Sequence, residues 1–230
     1  MKFDKPLVSG KWIKRYKRFL VDTEINNKVV TVFCPNTGSM RTCFDEGWPV
    51  LLHHNPSPKR KYDYTVELIH NGSCWICINT HRANPIVYEA LSNQAIPELR
   101  EYTHIQKEVP WKTSRLDFTA SSSKKTCYIE VKSVTLLENN YYQFPDSPTK
   151  RGQKHLQTLI DIKKEQYEAM MIFIIQRSDA KTFKPAEHID PTYANLLKKA
   201  HQSDVKILAL QTQITKSEIK IYKPIPIILN

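Results

Sequence analysis

Short runs of alternating apolar and polar positions fill the first third of the chain, and longer periodic segments fill the rest. Val29 to Cys34, Tyr62 to Ile69 and Ser73 to Asn79 have strand character, with turn clusters at Pro35-Asn36-Thr37-Gly38 and Asn55-Pro56-Ser57-Pro58 between them. That pattern predicts a small antiparallel barrel or sandwich. It changes near residue 83. A helix is predicted from about Pro85, strands near Arg115 to Ala120 and Cys127 to Ser133, and a helix from about Arg151. A strand at Met170 to Gln176, a helix at Pro191 to Gln202 and a strand at Val205 to Gln211 follow, the alternation of a mixed α/β layer fold. Asn84-Pro85 and Asp190-Pro191 both read as helix starts. The Asn or Asp side chain accepts from first-turn N–H groups, and Pro at the first helical position leaves no N–H orphaned. The longest apolar run, Ala169 to Ile175, is far short of the roughly 20 residues a membrane helix needs, so it is expected as a buried strand and no membrane span is expected.

With 40 % apolar and 25 % charged residues, the chain of 230 has the composition of a packed globular protein rather than a disordered one. Its 34 Lys and Arg against 23 Asp and Glu give a net charge of +11, split nearly evenly on either side of Ala83. No basic tail accounts for the excess, and a polyanionic partner is expected. The five cysteines, Cys34, Cys43, Cys74, Cys77 and Cys127, form an odd set without repeated spacing. That suits a reducing, cytoplasmic setting, and the first twenty residues show no secretory signal. Cys74-x-x-Cys77 has no second pair to complete a zinc site, and the odd offset places its members on opposite faces of a strand, at least one in the core.

The sharpest constellation is Ser114-Arg115-Leu116-Asp117-Phe118, the polar turn Ser121 to Lys125, and Cys127-Tyr128-Ile129-Glu130-Val131-Lys132. Two strands joined by a polar turn form a hairpin, and alternation puts Glu130 and Lys132 on one face with Ile129 and Val131 on the other. If the register sets Asp117 beside Glu130, two carboxylates and an ammonium converge. Adjacent carboxylates repel unless a cation neutralises them, so the place is a candidate Mg²⁺ or Mn²⁺ site suited to attack on phosphorus. Glu89, on the helix that starts near Asn84, is a further candidate metal ligand or support. On spacing alone the same residues also fit cross-strand ion pairs and a solvated helix acid.

These residues lie within longer strings: Arg15-Tyr16-Lys17-Arg18-Phe19-Leu20, Cys34-Pro35-Asn36-Thr37-Gly38-Ser39-Met40, Arg60-Lys61-Tyr62, Asn79-Thr80 with Ala83-Asn84, Ser114-Arg115 with Asp117-Phe118, Glu130 to Leu136, and Phe144-Pro145-Asp146 with Arg151-Gly152 and Lys154-His155-Leu156. In order and across nearly the whole chain they resemble the sugar fermentation stimulation protein A family. The resemblance implies an α/β (α+β) protein: an OB-like β-barrel over residues 1–83, binding nucleic acid, then a PD-(D/E)XK nuclease-like mixed-sheet domain over 84–230. It implies non-specific DNA binding and a link to regulation of sugar, notably maltose, utilisation. The nuclease-like site falls on Glu89, Asp117, Glu130 and Lys132. Phe33 stands where the family usually has His, and Lys112 where a Gly usually precedes the Ser-Arg pair.

The candidate DNA contacts are the cations of the Lys11 to Phe19 segment (Lys14, Arg15, Lys17, Arg18), the loop cations Arg60 and Lys61, Arg115, and the helix-start group Lys150, Arg151, Lys154 and His155. Basic residues interleaved with rings suit a groove that tracks phosphates and stacks bases, although Trp12, Tyr16 and Phe19 also suit the core of a first strand. Helix N-termini attract anions, so the second group is a candidate phosphate clamp, and His155 is also a candidate to reach the metal. Three readings follow: a metal-dependent DNA phosphodiesterase, a DNA-binding regulator without turnover, and a sugar-responsive or protein-interaction module. No separate helix-turn-helix or finger is seen to read base edges.

Overall fold

The computed structural model describes residues 1–229. The chain begins with five strands that close on themselves: β1 (Val8–Tyr16), β2 (Leu20–Ile25), β3 (Lys28–Phe33), β4 (Pro49–His54) and β5 (Tyr64–His70). Their order is β3-β2-β1-β4-β5, and a parallel bridge between Phe33 and Thr65 completes the circuit. This is the OB-like barrel expected from the sequence. Its interior holds Trp12, Val21, Val32, Leu52, Val66 and Ile69, the spacing of three between the last two reflecting a bulge in the β4–β5 pairing. Trp12 is thus a core ring, while Phe19 is exposed. A short strand, β6 (Trp75–Cys77), adds to β5. Cys77 is buried and Cys74 half-buried; all five cysteines are free.

The rest is a mixed sheet between helices. It contains α1 (Ala83–Ser92), β7 (His104–Trp111), β8 (Ser114–Ser121), β9 (Thr126–Val134), β10 (Leu136–Glu138), β11 (Tyr141–Phe144), α2 (Lys150–Lys164), β12 (Glu168–Ile175), β13 (Thr182–Pro185), α3 (Pro191–Gln202), β14 (Lys206–Ile214) and β15 (Ile219–Pro224). The main sheet runs β15-β14-β12-β9-β8-β7, with β9, β12 and β14 parallel at its centre; β10, β11 and β13 form a small second sheet. On β12, Met171, Phe173 and Ile175 pack under α2 and α3 while Met170, Ile172 and Ile174 pack under α1. Both faces are covered, which is why that strand reads as an unbroken apolar run.

The predicted strands and helices are present, with ends shifted by up to a few residues, but one start signal was misassigned. Asp190 caps α3, accepting from the Tyr193 N–H at 2.8 Å. Asn84 does not cap α1. That helix begins at Ala83 without a side-chain cap, and the Asn84 amide is committed elsewhere. Lys112, which stands where the resembled family usually has a glycine, adopts φ of 50°, the left-handed region in which a side chain is disfavoured.

The barrel is docked onto the mixed sheet by buried polar contacts. Arg177, 2 % exposed, pairs with Asp179 and donates to the carbonyls of Thr42 and Thr135. Asn71 reaches Asp179 at 2.7 Å, and the Cys77 N–H donates to the Gln176 carbonyl at 3.0 Å.

Candidate active site

Asp117 lies where β8 changes course. Phe118 pairs with Ile129 and packs under α1, whereas Leu116, two positions earlier, packs under α2. Residues two apart normally share a face, so the strand rotates at Asp117 and its ladder with β9 ends. The Asp117 carboxylate then takes the place of a strand carbonyl: Oδ2 accepts the Val131 N–H at 2.7 Å, and Oδ1 accepts the Asn84 amide at 2.7 Å. Burial, then the neighbouring charge of Glu130, raises its pKa despite these donors.

Glu130 and Lys132 project from β9 toward α2, as the alternation predicts. Glu130 is 2 % exposed, and its Oε1 is contacted by both the Lys132 ammonium and His155 Nδ1 from α2. Lys132 Nζ and His155 Nδ1 lie 3.2 Å apart. Burial alone would raise the Glu130 pKa; His155 and Lys132 together outweigh it and hold the carboxyl below its ordinary value. The second oxygen, Oε2, is fully buried and has no hydrogen-bond partner. A buried charged oxygen left unpaired is costly, so it implies a cation or donor that completes the site. The Tyr193 hydroxyl is likewise buried without a partner, and burial followed by the Glu130 charge pushes its pKa well above the usual phenol value.

Glu89 is not part of this cluster. Five residues at 3.6 per turn rotate roughly 140° around the helix from Asn84, so Glu89 faces away, about half exposed, and pairs with the Met1 amino group. Asn84 is the α1 residue that reaches Asp117. Among the described residues no group of three or more His, Cys, Asp and Glu side chains is arranged to hold a metal. Two carboxylates remain, a donor set that suits a hard divalent cation, since such an ion can take one or two carboxylates and keep several waters.

The basic candidates divide by exposure. Lys14, Lys17, Arg18, Arg60, Lys61, Lys150 and Arg151 are exposed. Arg115 is exposed and pairs with Glu108 at 3.1 Å, and Lys154 donates to the Thr113 carbonyl at 2.7 Å. Arg15 is half-buried, and its guanidinium is occupied by the carbonyls of Arg18, Asn36, Gly38 and Ser39, so it organises the 34–40 loop. His155 is buried against Glu130 and belongs to the acidic site, not to a surface phosphate clamp. Asn84 and Tyr193 were not singled out as site residues: Asn84 reads as a cap, and nothing local marks a helical tyrosine as facing a distant glutamate.

Residues 13–78 match the SfsA N-terminal OB domain, and residues 81–218 match the Sugar fermentation stimulation protein RE domain. A sugar fermentation stimulation protein homolog from Desulfotalea psychrophila is 45 % identical over 232 residues, covering all of this chain and 96 % of that protein. One from Pseudoalteromonas atlantica is 46 % identical over 235 residues, covering both chains completely. The solved structure of Pyrococcus furiosus SfsA in complex with Ca²⁺ is 27 % identical, with a TM-score of 0.89 over 99 % of this chain and 97 % of that one.

Proposed function

Since the chain belongs to the sugar fermentation stimulation protein family, we propose that it binds DNA largely without sequence preference and cleaves phosphodiester bonds at Asp117, Glu130 and Lys132. Mg²⁺ or Mn²⁺ is the proposed cofactor. The observation that carries this reading is the partnerless Oε2 of Glu130, buried beside an aspartate whose pKa its charge raises. Asp117 and Glu130 would hold the cation, which when bound supplies Lewis acidity and a more acidic water. The Ca²⁺ complex of the Pyrococcus furiosus relative supports a hard divalent ion.

This chain's own groups then have distinct roles. Lys132 positions the nucleophilic water and offsets charge on the phosphate, while His155 orients Glu130. Asn84 and the Val131 N–H fix the Asp117 carboxylate. Residues 1–83 supply a phosphate-tracking barrel and 84–230 the reacting site. A second reading, a DNA-binding regulator of sugar utilisation without turnover, is favoured by the lack of a third acidic ligand among the described residues and by the pairing of Glu89 with the Met1 amino group instead.

The separating experiment incubates purified protein with supercoiled and linear DNA and Mg²⁺ or Mn²⁺, and in parallel titrates Mn²⁺ by calorimetry. Cleavage is expected, and Asp117→Ala and Lys132→Ala abolish it while leaving DNA retention intact. Asp117→Ala also lowers Mn²⁺ affinity by at least the roughly 10- to 100-fold typical of residues that support a metal. Metal binding with no cleavage of either DNA form selects the regulator.

A further inference from the structure

Between the barrel and the mixed sheet lies a polar cleft of about 310 Å³, apart from the pair of carboxylates. One wall is the 34–40 loop. Asn36 Oδ1 accepts the Gly38 N–H, its amide donates to the Ile78 carbonyl, and Arg15 ties the loop's carbonyls together. The other wall comes from the end of β9, from β11 and from the segment leading into α2. Asp146 clamps the two: its carboxylate accepts the Met40 N–H at 3.3 Å and packs against Gly38, where a Cβ would sit 2.3 Å from Oδ2.

At the floor is Gln143, only 2 % exposed. Its Nε2 donates to the Glu138 carbonyl, which fixes the amide, and its Oε1 has no partner. Ser133 Oγ, also lining the cleft, is buried without a partner too. A buried acceptor and a buried hydroxyl lining one cleft are complementary to the donor and acceptor edge of a nucleobase. Phe144 and Pro145 give that part of the cleft an apolar surface for a ring. The cation Arg18 and Thr149, the N-cap of α2, also line the cleft; the Thr149 N–H is taken by Asp190 and the Gly152 N–H by the Thr149 hydroxyl, so Arg18 is the group that draws a phosphate to this end. Asp146, in the segment leading into α2, is tied to the Met40 N–H and packs on Gly38, so Arg18 is the cation left to receive a phosphate. Ser133 follows Lys132 along β9, and Thr149 opens the helix that carries His155, so the same strand and helix frame the cleft and the proposed reacting site.

We infer that this cleft binds one nucleoside phosphate unit, base toward Gln143 and Ser133 and phosphate toward Arg18. Its source is either a free mononucleotide or an unstacked nucleotide of a bound strand. The strand form rests on the DNA-binding reading above; the free form does not. The volume is at the lower end for ligand sites and holds a single nucleoside.

The test titrates the full chain, without divalent metal, with each of the four nucleoside monophosphates by calorimetry. Separately, a single-stranded oligonucleotide carrying 2-aminopurine is followed by fluorescence. Wild-type protein is expected to bind at least one monophosphate at millimolar or lower concentration. Gln143→Leu weakens that binding about tenfold, the effect of one buried hydrogen bond. Thr37→Trp, at an exposed position of the cleft wall, fills the space and abolishes binding in a folded protein. Binding of a monophosphate without a 2-aminopurine response assigns the cleft to the free nucleotide. A rise in fluorescence that excess monophosphate reverses assigns it to the strand. Nucleotide binding by a protein that never cleaves DNA overturns the proposed reaction and keeps this site. No binding and no fluorescence change, or binding that Gln143→Leu and Thr37→Trp both leave unchanged, overturns it, as does a response to a neutral disaccharide alone.

Discussion

At the scale of single residues, the neighbourhood more than the residue type decides what a side chain does. Asn84 and Asp190 both precede a proline, yet only Asp190 caps its helix: the turn Thr80–Arg82 runs straight into α1, so Asn84 already lies inside the helix and its amide donates to Asp117. Burial of the Asp190 carboxyl alone would raise its pKa. The Thr149 and Tyr193 N–H groups and the Gln153 amide reverse that and hold it below the usual carboxylate range. A depressed folded-state pKa means stability that is present above the unfolded value of about 3.9 and lost as pH falls through the folded one. Asp190→Ala is therefore expected to cost about 1 kcal/mol at neutral pH. Urea titrations from pH 7 to pH 3 should show that difference shrinking as acid removes the charge from wild type. A constant difference over that range would refute the linkage.

At the scale of elements, β12 and β8 illustrate opposite constraints. β12 is apolar on both faces because helices cover both, and Phe173 packs with Phe144 and Phe183 at ring separations of 5.8 and 4.3 Å. Phe173→Ala should cost about 3–5 kcal/mol, measured as a lower denaturation midpoint at unchanged slope. β8 sacrifices a regular ladder to aim one carboxylate. Restoring regularity there would remove the site without adding core. At the start of α2, Gly152 leaves no room for a Cβ, which would meet the Thr149 methyl at 2.8 Å and Tyr193 Cε2 at 3.0 Å. Gly152→Ala is expected to disturb the helix start and destabilise by about 1–3 kcal/mol, with the near-ultraviolet signal of Tyr193 reporting the shift.

At the scale of the whole molecule, the barrel and the mixed sheet are joined through groups that neither satisfies alone. Arg177 is buried by the sheet but donates to Thr42 of the barrel side as well as to Thr135. Arg177→Met leaves Asp179 buried without its cation, an expected loss of about 3–5 kcal/mol. Calorimetry should show a single unfolding transition in wild type separating into two. The +11 charge also acts at this scale. If phosphate contacts dominate, the logarithm of DNA affinity falls linearly and steeply with the logarithm of salt concentration. A flat salt profile would remove DNA as the partner. No described helix is long and apolar enough to cross a membrane.

Local pattern carried the elements themselves. Strand alternation, turn clusters and the Asp190-Pro191 cap are short-range effects, and alternation placed Glu130 and Lys132 on one face, with Ile129 and Val131 on the other. The order of an OB-like barrel followed by a mixed-sheet domain came through the family resemblance of residue strings spread over the chain. Tertiary structure alone decided which way β8 turns at Asp117, why Asn84 and not Glu89 meets it, that Arg15 holds a loop, and that His155 is buried on Glu130. It also built the cleft at Gln143. Each of these depends on two segments far apart in sequence meeting at a few ångströms, and no local propensity encodes that distance.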